Sequence, residues 1–145
     1  MHIAVLNGPN LNLLGEREPE VYGRTSFAEL EQLVRGEAAR LGVTLEWIQT
    51  NHEGAFVDAI QGLRGRVDGA LINAAALTHT SLAIRDALLA VQVPFVELHL
   101  SNIFAREPER RQSRLADLAV GIVAGFGVRS YVLALDALVG RLRAP

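Results

Sequence analysis

The chain has 145 residues, half of them hydrophobic, which is enough for one hydrophobic core and too few for two. Its 14 basic and 16 acidic residues give a formal charge of -2, so no positive field is present to hold nucleic acid or an anionic membrane. The sequence has no cysteine and no lysine, which excludes disulfides, thiolate nucleophiles and lysine Schiff bases. We therefore expect one domain over residues 1–145 that binds neither nucleic acid nor a membrane.

Targeting and membrane-spanning patterns are missing from the sequence. The first apolar run stops at Asn7, and the longest later one, Leu118 to Val128, is short of the ~20 residues that a span needs. We expect a cytoplasmic protein.

Short apolar segments alternate with amphipathic ones along the chain, a pattern that is typical of βαβ folds. The first predicted strand, Ile3 to Leu6, is followed by a long loop, Asn7 to Gly23. Ser26, three residues ahead of a glutamate, then begins a capping-box pattern, and apolar residues recur at helical intervals from Phe27 to Leu41. The glycine at position 42 ends this first helix.

Four more strands and about three more helices follow. Val43 to Gln49 alternates apolar and polar residues, which predicts a half-exposed edge strand. The other strand predictions are apolar without alternation, as in parallel strands covered on both faces: Gly69 to Ile72, Phe95 to Leu98 and Val120 to Ala124. Together these elements predict a flavodoxin-like, three-layer α/β sandwich with a five-stranded parallel sheet in the order 2-1-3-4-5.

Ligands of such sheets bind beyond the carboxyl ends of the strands, at the point where the strand order reverses, here between strands one and three. The polar residues of the sequence gather after these ends. They are Asn7, Asn10, Arg17 and Tyr22 after strand one, Asn73 to His79 after strand three, and His99 to Ser101 after strand four.

The loop from Asn7 to Gly23 is longer than most connections in compact domains, which indicates a functional loop. A tyrosine such as Tyr22 usually packs over a sheet edge, but Arg17 is close to it in sequence. Lowering the pKa of a phenol from ~10 to near 7 needs about 4 kcal/mol, and a cation ~4 Å away at an effective dielectric constant of 20 supplies about that much. One close arginine is therefore enough to keep Tyr22 ionised.

Glu97 and His99 lie two residues apart at the end of a predicted strand, so that both side chains point to the same face. A carboxylate placed there can orient or charge the imidazole and make His99 a proton donor. The alternative is an ordinary polar strand end. For Asn10, a turn residue and a hydrogen-bond donor to a reacting oxygen remain equally open.

Motifs for metals and nucleotides are missing. No histidine pair has the HxxxH or HExxH spacing, and no GxGxxG or P-loop follows the first strand, so neither a metal nor a nucleotide cofactor is expected.

Four motifs resemble those of the type II 3-dehydroquinate dehydratases, over nearly the full chain from Ile3 to about Leu135. They are NGPNLNLLGxRxPxxYG at Asn7 to Gly23, QxNHEG at Gln49 to Gly54, NAAxxTHTSxAIRDA at Asn73 to Ala87, and VELHLSNIxARExxR at Val96 to Arg110. The resemblance implies removal of water from 3-dehydroquinate through an enolate in the shikimate pathway, without metal or organic cofactor. It also implies a homo-oligomer, a dodecamer built from trimers.

The resemblance also implies residue roles. Tyr22 is the general base, Arg17 keeps it ionised and lies on a mobile lid, Asn10 stabilises the enolate through a water, and His99, supported by Glu97, is the acid. The residues implied to bind substrate are Asn73, Leu100 and Ser101 at the carboxylate, Arg110 at a hydroxyl, His79 in the pocket, and Asp86, which reaches across from a neighbouring subunit.

The sequence departs from the family pattern at Phe104 and Glu109, and at Leu77, Gln112 and Arg114. We expect these departures to affect the packing of the segment that presents Arg110. The nearby residues Arg106, Arg111 and Arg114 have the pattern of solvated charge. Two alternatives to the enzyme hypothesis remain. One is a flavodoxin-like binding or signalling module. Such a module needs acidic or Ser/Thr-rich loops at its strand ends, where this sequence has Asn7 and Asn73. The other is a catalytically dead oligomeric homologue.

Overall fold

The apolar runs of the sequence form the strands of one parallel sheet. The computed structural model describes residues 1–16 and 18–145, with the backbone alone for Val21 and Tyr22. The strands are β1 (His2–Asn7), β2 (Thr44–Gln49), β3 (Gly69–Asn73), β4 (Phe95–His99) and β5 (Gly121–Ala124). The α-helices are α1 (Pro19–Tyr22), α2 (Phe27–Leu41), α3 (Glu53–Gln61), α4 (Leu82–Val91) and α5 (Arg129–Arg143). Short 3-10 turns lie at Leu11–Leu13, Ala75–His79, Ile103–Ala105 and Pro108–Arg110.

The strand order is β2-β1-β3-β4-β5 with parallel pairing, which confirms the predicted topology. Alternate residues of β1 enter two separate cores, because successive side chains of a strand point to opposite faces. Ile3 and Val5 pack with α2 and α5, whereas Ala4 and Leu6 pack with α3 and α4. The sheet is therefore the middle layer of the predicted three-layer sandwich.

The edge strand and the first long helix form as predicted. In β2 the side chains after the exposed Thr44 are half-buried. Ser26 caps α2 by accepting a hydrogen bond from the amide of Glu29 at 3.1 Å, and Gly42 ends the helix with a φ of 72°.

Three strands end one residue later than predicted, at Asn7, Asn73 and His99. All three polar side chains are buried, with at most 4% of their surface exposed. Asn7 pairs with Asn73 in the register of β1 and β3, and both side chains are hydrogen-bonded below the surface. The strands extend because these polar groups find buried partners, and the ends of the ladder carry the polar groups of the candidate site.

In the part of the chain that the structure describes, no helix has the length and apolar character needed to cross a membrane.

Candidate active site

A pocket lies beyond the carboxyl ends of β1, β3 and β4, where the strand order reverses. It combines an apolar floor with amides, imidazoles and guanidiniums, the composition expected of a site for a small polar ligand. Its lining residues are Pro9, Asn10, Leu11, Leu14, Asn73, Ala75, Ala76, His79, His99, Leu100, Ser101, Ile103, Arg106 and Arg110. Seven residues that the resemblance implicates therefore meet in one place: Asn10, Asn73, His79, His99, Leu100, Ser101 and Arg110.

The edge strand holds the loop that presents Asn10. Asn10 has a left-handed backbone with a φ of 70°, and its amide N–H donates to Asn51 Oδ1 at 2.9 Å. Gln49 Nε2 donates to the same oxygen at 3.0 Å and to the carbonyl of Gly8 at 3.2 Å. A Cβ at Gly8 would overlap the carbonyl of Ala74, so that only glycine lets the loop pass this close to the end of β3.

The His99 imidazole is buried against a carboxylate. Its Nε2 lies 2.7 Å from Glu97 Oε1, and the two side chains are 5% and 1% exposed. Ser113 Oγ donates to the same oxygen at 2.7 Å while accepting the amide hydrogens of Leu115 and Ala116, each at 3.0 Å. Because Glu97 occupies Nε2, the other nitrogen, Nδ1, is the one left for proton transfer.

The second histidine, His79, is anchored to the segment that follows β4. Its Nδ1 lies 2.7 Å from the carbonyl of Gln112, and the Arg114 amide donates to the carbonyl of Thr78 at 2.9 Å. The His79 and His99 rings are roughly parallel, 19° apart in plane and 6.3 Å between centroids. Two imidazoles therefore stand side by side on the pocket wall.

Two arginines border the pocket. Arg110 Nε donates to Glu107 Oε1 at 2.6 Å, and the pKa of Glu107 is lowered, first by its own backbone amide and then by Arg110. The assignment of Arg106 to solvated charge is wrong, because Arg106 lines the pocket, is 19% exposed and lies 3.5 Å from Ser101 Oγ. No spacing in the sequence indicates this position, because Arg106 lies between the 3-10 turns Ile103–Ala105 and Pro108–Arg110.

Some residues of the hypothesis lie elsewhere. Arg17 and the side chain of Tyr22 fall outside the described residues. Asp86 is exposed on α4 and does not line the pocket of its own chain. The departures Phe104 and Glu109 both point to solvent, and Arg110 still lines the pocket.

The pocket combines an imidazole backed by a carboxylate with amide, hydroxyl and guanidinium donors. Such a set can give a proton to a leaving group and hold a carboxylate and hydroxyls in a fixed orientation. Within residues 1–16 and 18–145, no cluster of three or more histidine, aspartate or glutamate side chains is arranged to hold a metal ion.

Sequence comparison finds relatives over almost the whole chain. Residues 1–139 match the family model described as "Dehydroquinase class II". The chain is 57% identical over 143 residues to a 3-dehydroquinate dehydratase of Parasynechococcus marenigrum, covering 99% of this chain and 98% of the relative. It is 58% identical over 134 residues to Catabolic 3-dehydroquinase 1 of Aspergillus terreus, covering 92% of this chain and 88% of the relative.

Solved structures give the same grouping. The type II dehydroquinase of Butyrivibrio crossotus superposes with a TM-score of 0.93 at 40% identity, covering 95% of this chain and 97% of the other. A 3-dehydroquinate dehydratase-like protein of Bifidobacterium longum superposes with a TM-score of 0.71 at 26% identity, covering 99% of each chain.

Proposed function

We propose that this chain, which belongs to the class II dehydroquinase family, removes water from 3-dehydroquinate to give 3-dehydroshikimate. The proposed reaction is an anti elimination through an enolate in the shikimate pathway, without metal or organic cofactor. The observation that carries it is the buried His99–Glu97 pair, which opens into a pocket lined by Asn73, Ser101 and Arg110. Relatives named 3-dehydroquinate dehydratase and Catabolic 3-dehydroquinase 1 match at 57% and 58% identity, which supports 3-dehydroquinate as the substrate.

In this proposal His99 is the acid that protonates the departing hydroxyl. Glu97 accepts the Nε2 hydrogen and stabilises the imidazolium, while Ser113 keeps the carboxylate oriented. A carboxylate buried with 1% of its side chain exposed interacts strongly with a nearby charge because little water screens it. These contacts support proton transfer from Nδ1.

The proposed base is Tyr22, which takes the proton beside the ketone. Arg17, five residues earlier, keeps the phenol ionised, and the loop that carries both closes over the substrate. The resulting enolate needs a hydrogen-bond donor aimed at its oxygen. Asn10, on the pocket wall, supplies it through a bound water.

The substrate carboxylate binds to Asn73, Leu100 and Ser101 and a substrate hydroxyl binds to Arg110, with His79 in the same pocket. Asp86 completes the pocket of a neighbouring subunit, in line with its exposure on α4. We also propose that residues 1–145 form a single catalytic domain. Twelve copies, arranged as trimers, would assemble into a dodecamer in the cytoplasm.

Purified protein supplied with 3-dehydroquinate tests the proposal directly. The product contains a conjugated enone carboxylate, so ultraviolet absorbance should rise with time and in proportion to enzyme concentration. A flat trace across pH would contradict the proposal and favour the catalytically dead homologue.

A further inference from the structure

A chain of hydrogen bonds connects α5 to the carboxyl ends of β1, β2 and β3. Asn7 Nδ2 donates to the carbonyl of Ile48 at 3.0 Å, and Tyr131 Oη donates to Asn7 Oδ1 at 2.6 Å. Asn73 Nδ2 donates to Tyr131 Oη at 2.9 Å, and the Ala75 amide donates to Asn73 Oδ1 at 3.2 Å. The three side chains are at most 3% exposed, so bulk water cannot replace these bonds.

The donor and acceptor roles along this series of hydrogen bonds are fixed, because a backbone group stands at each end of the series. The Ile48 carbonyl can only accept, which turns the Asn7 amide nitrogen toward it. Asn7 Oδ1 then takes the hydroxyl hydrogen of Tyr131, and the phenol oxygen is left to accept from Asn73. At the other end the Ala75 N–H can only donate and requires the amide oxygen of Asn73.

A reversed Asn73 amide would lose both of its bonds. Its nitrogen would face the Ala75 N–H, and its oxygen would face a hydroxyl whose hydrogen is already committed to Asn7. Burial raises the pKa of Tyr131 above its usual value, so the hydroxyl keeps the hydrogen that it donates. The orientation of Asn73 is thus held from both sides, by the Ala75 amide two residues along the chain and by Tyr131, 58 positions away in sequence.

Asn73 and Ala75 both line the pocket, which links this buried chain to the ligand. The amide nitrogen of Asn73 has two hydrogens, and Tyr131 takes one of them. Ala75 has a φ of 52°, a left-handed conformation that is uncommon for alanine, and its amide bond to Asn73 supports this turn.

We propose that Tyr131 is a positioning residue for substrate binding. Its hydroxyl locks the Asn73 amide so that the remaining Nδ2 hydrogen serves the substrate carboxylate. This proposal rests on the proposed function, which places that carboxylate at Asn73. Tyr131 itself is fully buried and does not line the pocket, so it acts through Asn73.

Tyr131→Phe removes the hydroxyl and keeps the ring. We expect KM for 3-dehydroquinate to rise about tenfold, a change of about 1.4 kcal/mol, while kcat stays within about threefold, because the carboxylate is bound equally before and during the elimination. The matched control is Ser130→Ala, which removes another fully buried hydroxyl of α5, one that accepts the Phe126 amide at 3.1 Å. The control should lose stability and keep the KM of the wild type.

A double-mutant cycle separates positioning from general loosening of the core. In an Asn73→Ala background, Tyr131→Phe should change KM by less than about twofold, because the group that it orients is gone. The same increase in both backgrounds would overturn the proposal, as would an unchanged KM in the single variant.

A second variant and a binding measurement cover the cases in which Tyr131→Phe does not fold or the wild type shows no turnover. If Tyr131→Phe does not fold, Asn7→Ala breaks the same chain from its other side and should show the same dependence on Asn73. Wild-type turnover is measured first, and its failure is a failure of the proposed function. In that case calorimetric affinity for 3-dehydroquinate replaces KM, and equal affinity of wild type and Tyr131→Phe, or no binding at all, overturns the role of Tyr131.

Discussion

Two histidine–glutamate pairs lie at opposite ends of the sheet and differ mainly in their exposure to water. Near the amino ends, His2 Nε2 lies 3.3 Å from Glu46 Oε2, and the side chains are 34% and 20% exposed. At the carboxyl end of β4, the His99–Glu97 pair has a separation of 2.7 Å and exposures of 5% and 1%. The same two residue types thus form a longer, partly exposed contact in one place and a short, buried contact in the other.

The two carboxylates also differ in their hydrogen-bond partners. Glu46 also accepts two hydrogen bonds from Arg66, and the pKa of Glu46 is lowered by Arg66 first and by His2 to a smaller extent. Glu97 accepts from His99 and Ser113, and its Oε2 has no hydrogen-bond partner in the described part of the chain. The half-buried Glu46 has a permanent cation beside it, whereas the fully buried Glu97 meets a positive charge only when His99 is protonated.

The largest difference between the two pairs should appear when each histidine is replaced. In His99→Gln the amide can still donate to Glu97 but cannot transfer a proton, so kcat should fall by about 10²- to 10⁴-fold. The matched variant His2→Gln should keep the wild-type kcat and KM. Steady-state kinetics with melting curves check this, and a His99→Gln enzyme with normal kcat would remove His99 from the acid role.

A smaller effect should come from the hydroxyl beside each pair. Ser113→Ala removes the donor to Glu97 and the acceptor for two amides, so we expect a loss of about 1–2 kcal/mol in unfolding free energy and a fall in kcat of up to about tenfold. The counterpart is Thr44→Val, since Thr44 Oγ1 lies 2.7 Å from His2 Nδ1 on the surface. Thr44→Val should leave kcat unchanged; equal losses of kcat in both variants would show that exposure does not govern these contacts.

The fold was predictable because local patterns and burial agree. Three apolar runs became the central strands β1, β3 and β4, and the alternating run became the edge strand β2. The prediction that Val120 to Ala124 is covered on both faces is wrong, because β5 is the other edge strand and Ile122 is 43% exposed. Ser26 and Gly42 bound α2 as capping rules require. The meeting of Asn73 and His99 at one pocket also follows from sequence, because parallel strands bring their carboxyl ends together.

What the sequence did not indicate depends on contacts between distant residues. Apolar patterning ends β1 and β3 before Asn7 and Asn73, because the buried partner of both side chains is Tyr131, which lies far away in sequence on α5. Arg106 had the pattern of solvated charge because nothing local shows that its segment folds back over the pocket. A buried phenol needs a hydrogen-bond partner, and that rule was the one available signal for Tyr131.

The smallest expected effect concerns the half-buried Glu46 and depends on pH. Because the pKa of Glu46 is lowered in the folded protein, its contribution to stability is present above the pKa of an unfolded glutamate and is lost as the pH falls. Glu46→Gln should therefore unfold more easily by about 0.5–1 kcal/mol at neutral pH. The difference from wild type should shrink as the pH falls below about 4.3, the pKa of an unfolded glutamate, and should shrink in high salt, with kcat unaffected. Urea titrations of wild type, Glu46→Gln, Arg66→Gln and the double variant check this, and a difference that persists in acid would mean that shape, not charge, makes the contact stabilising.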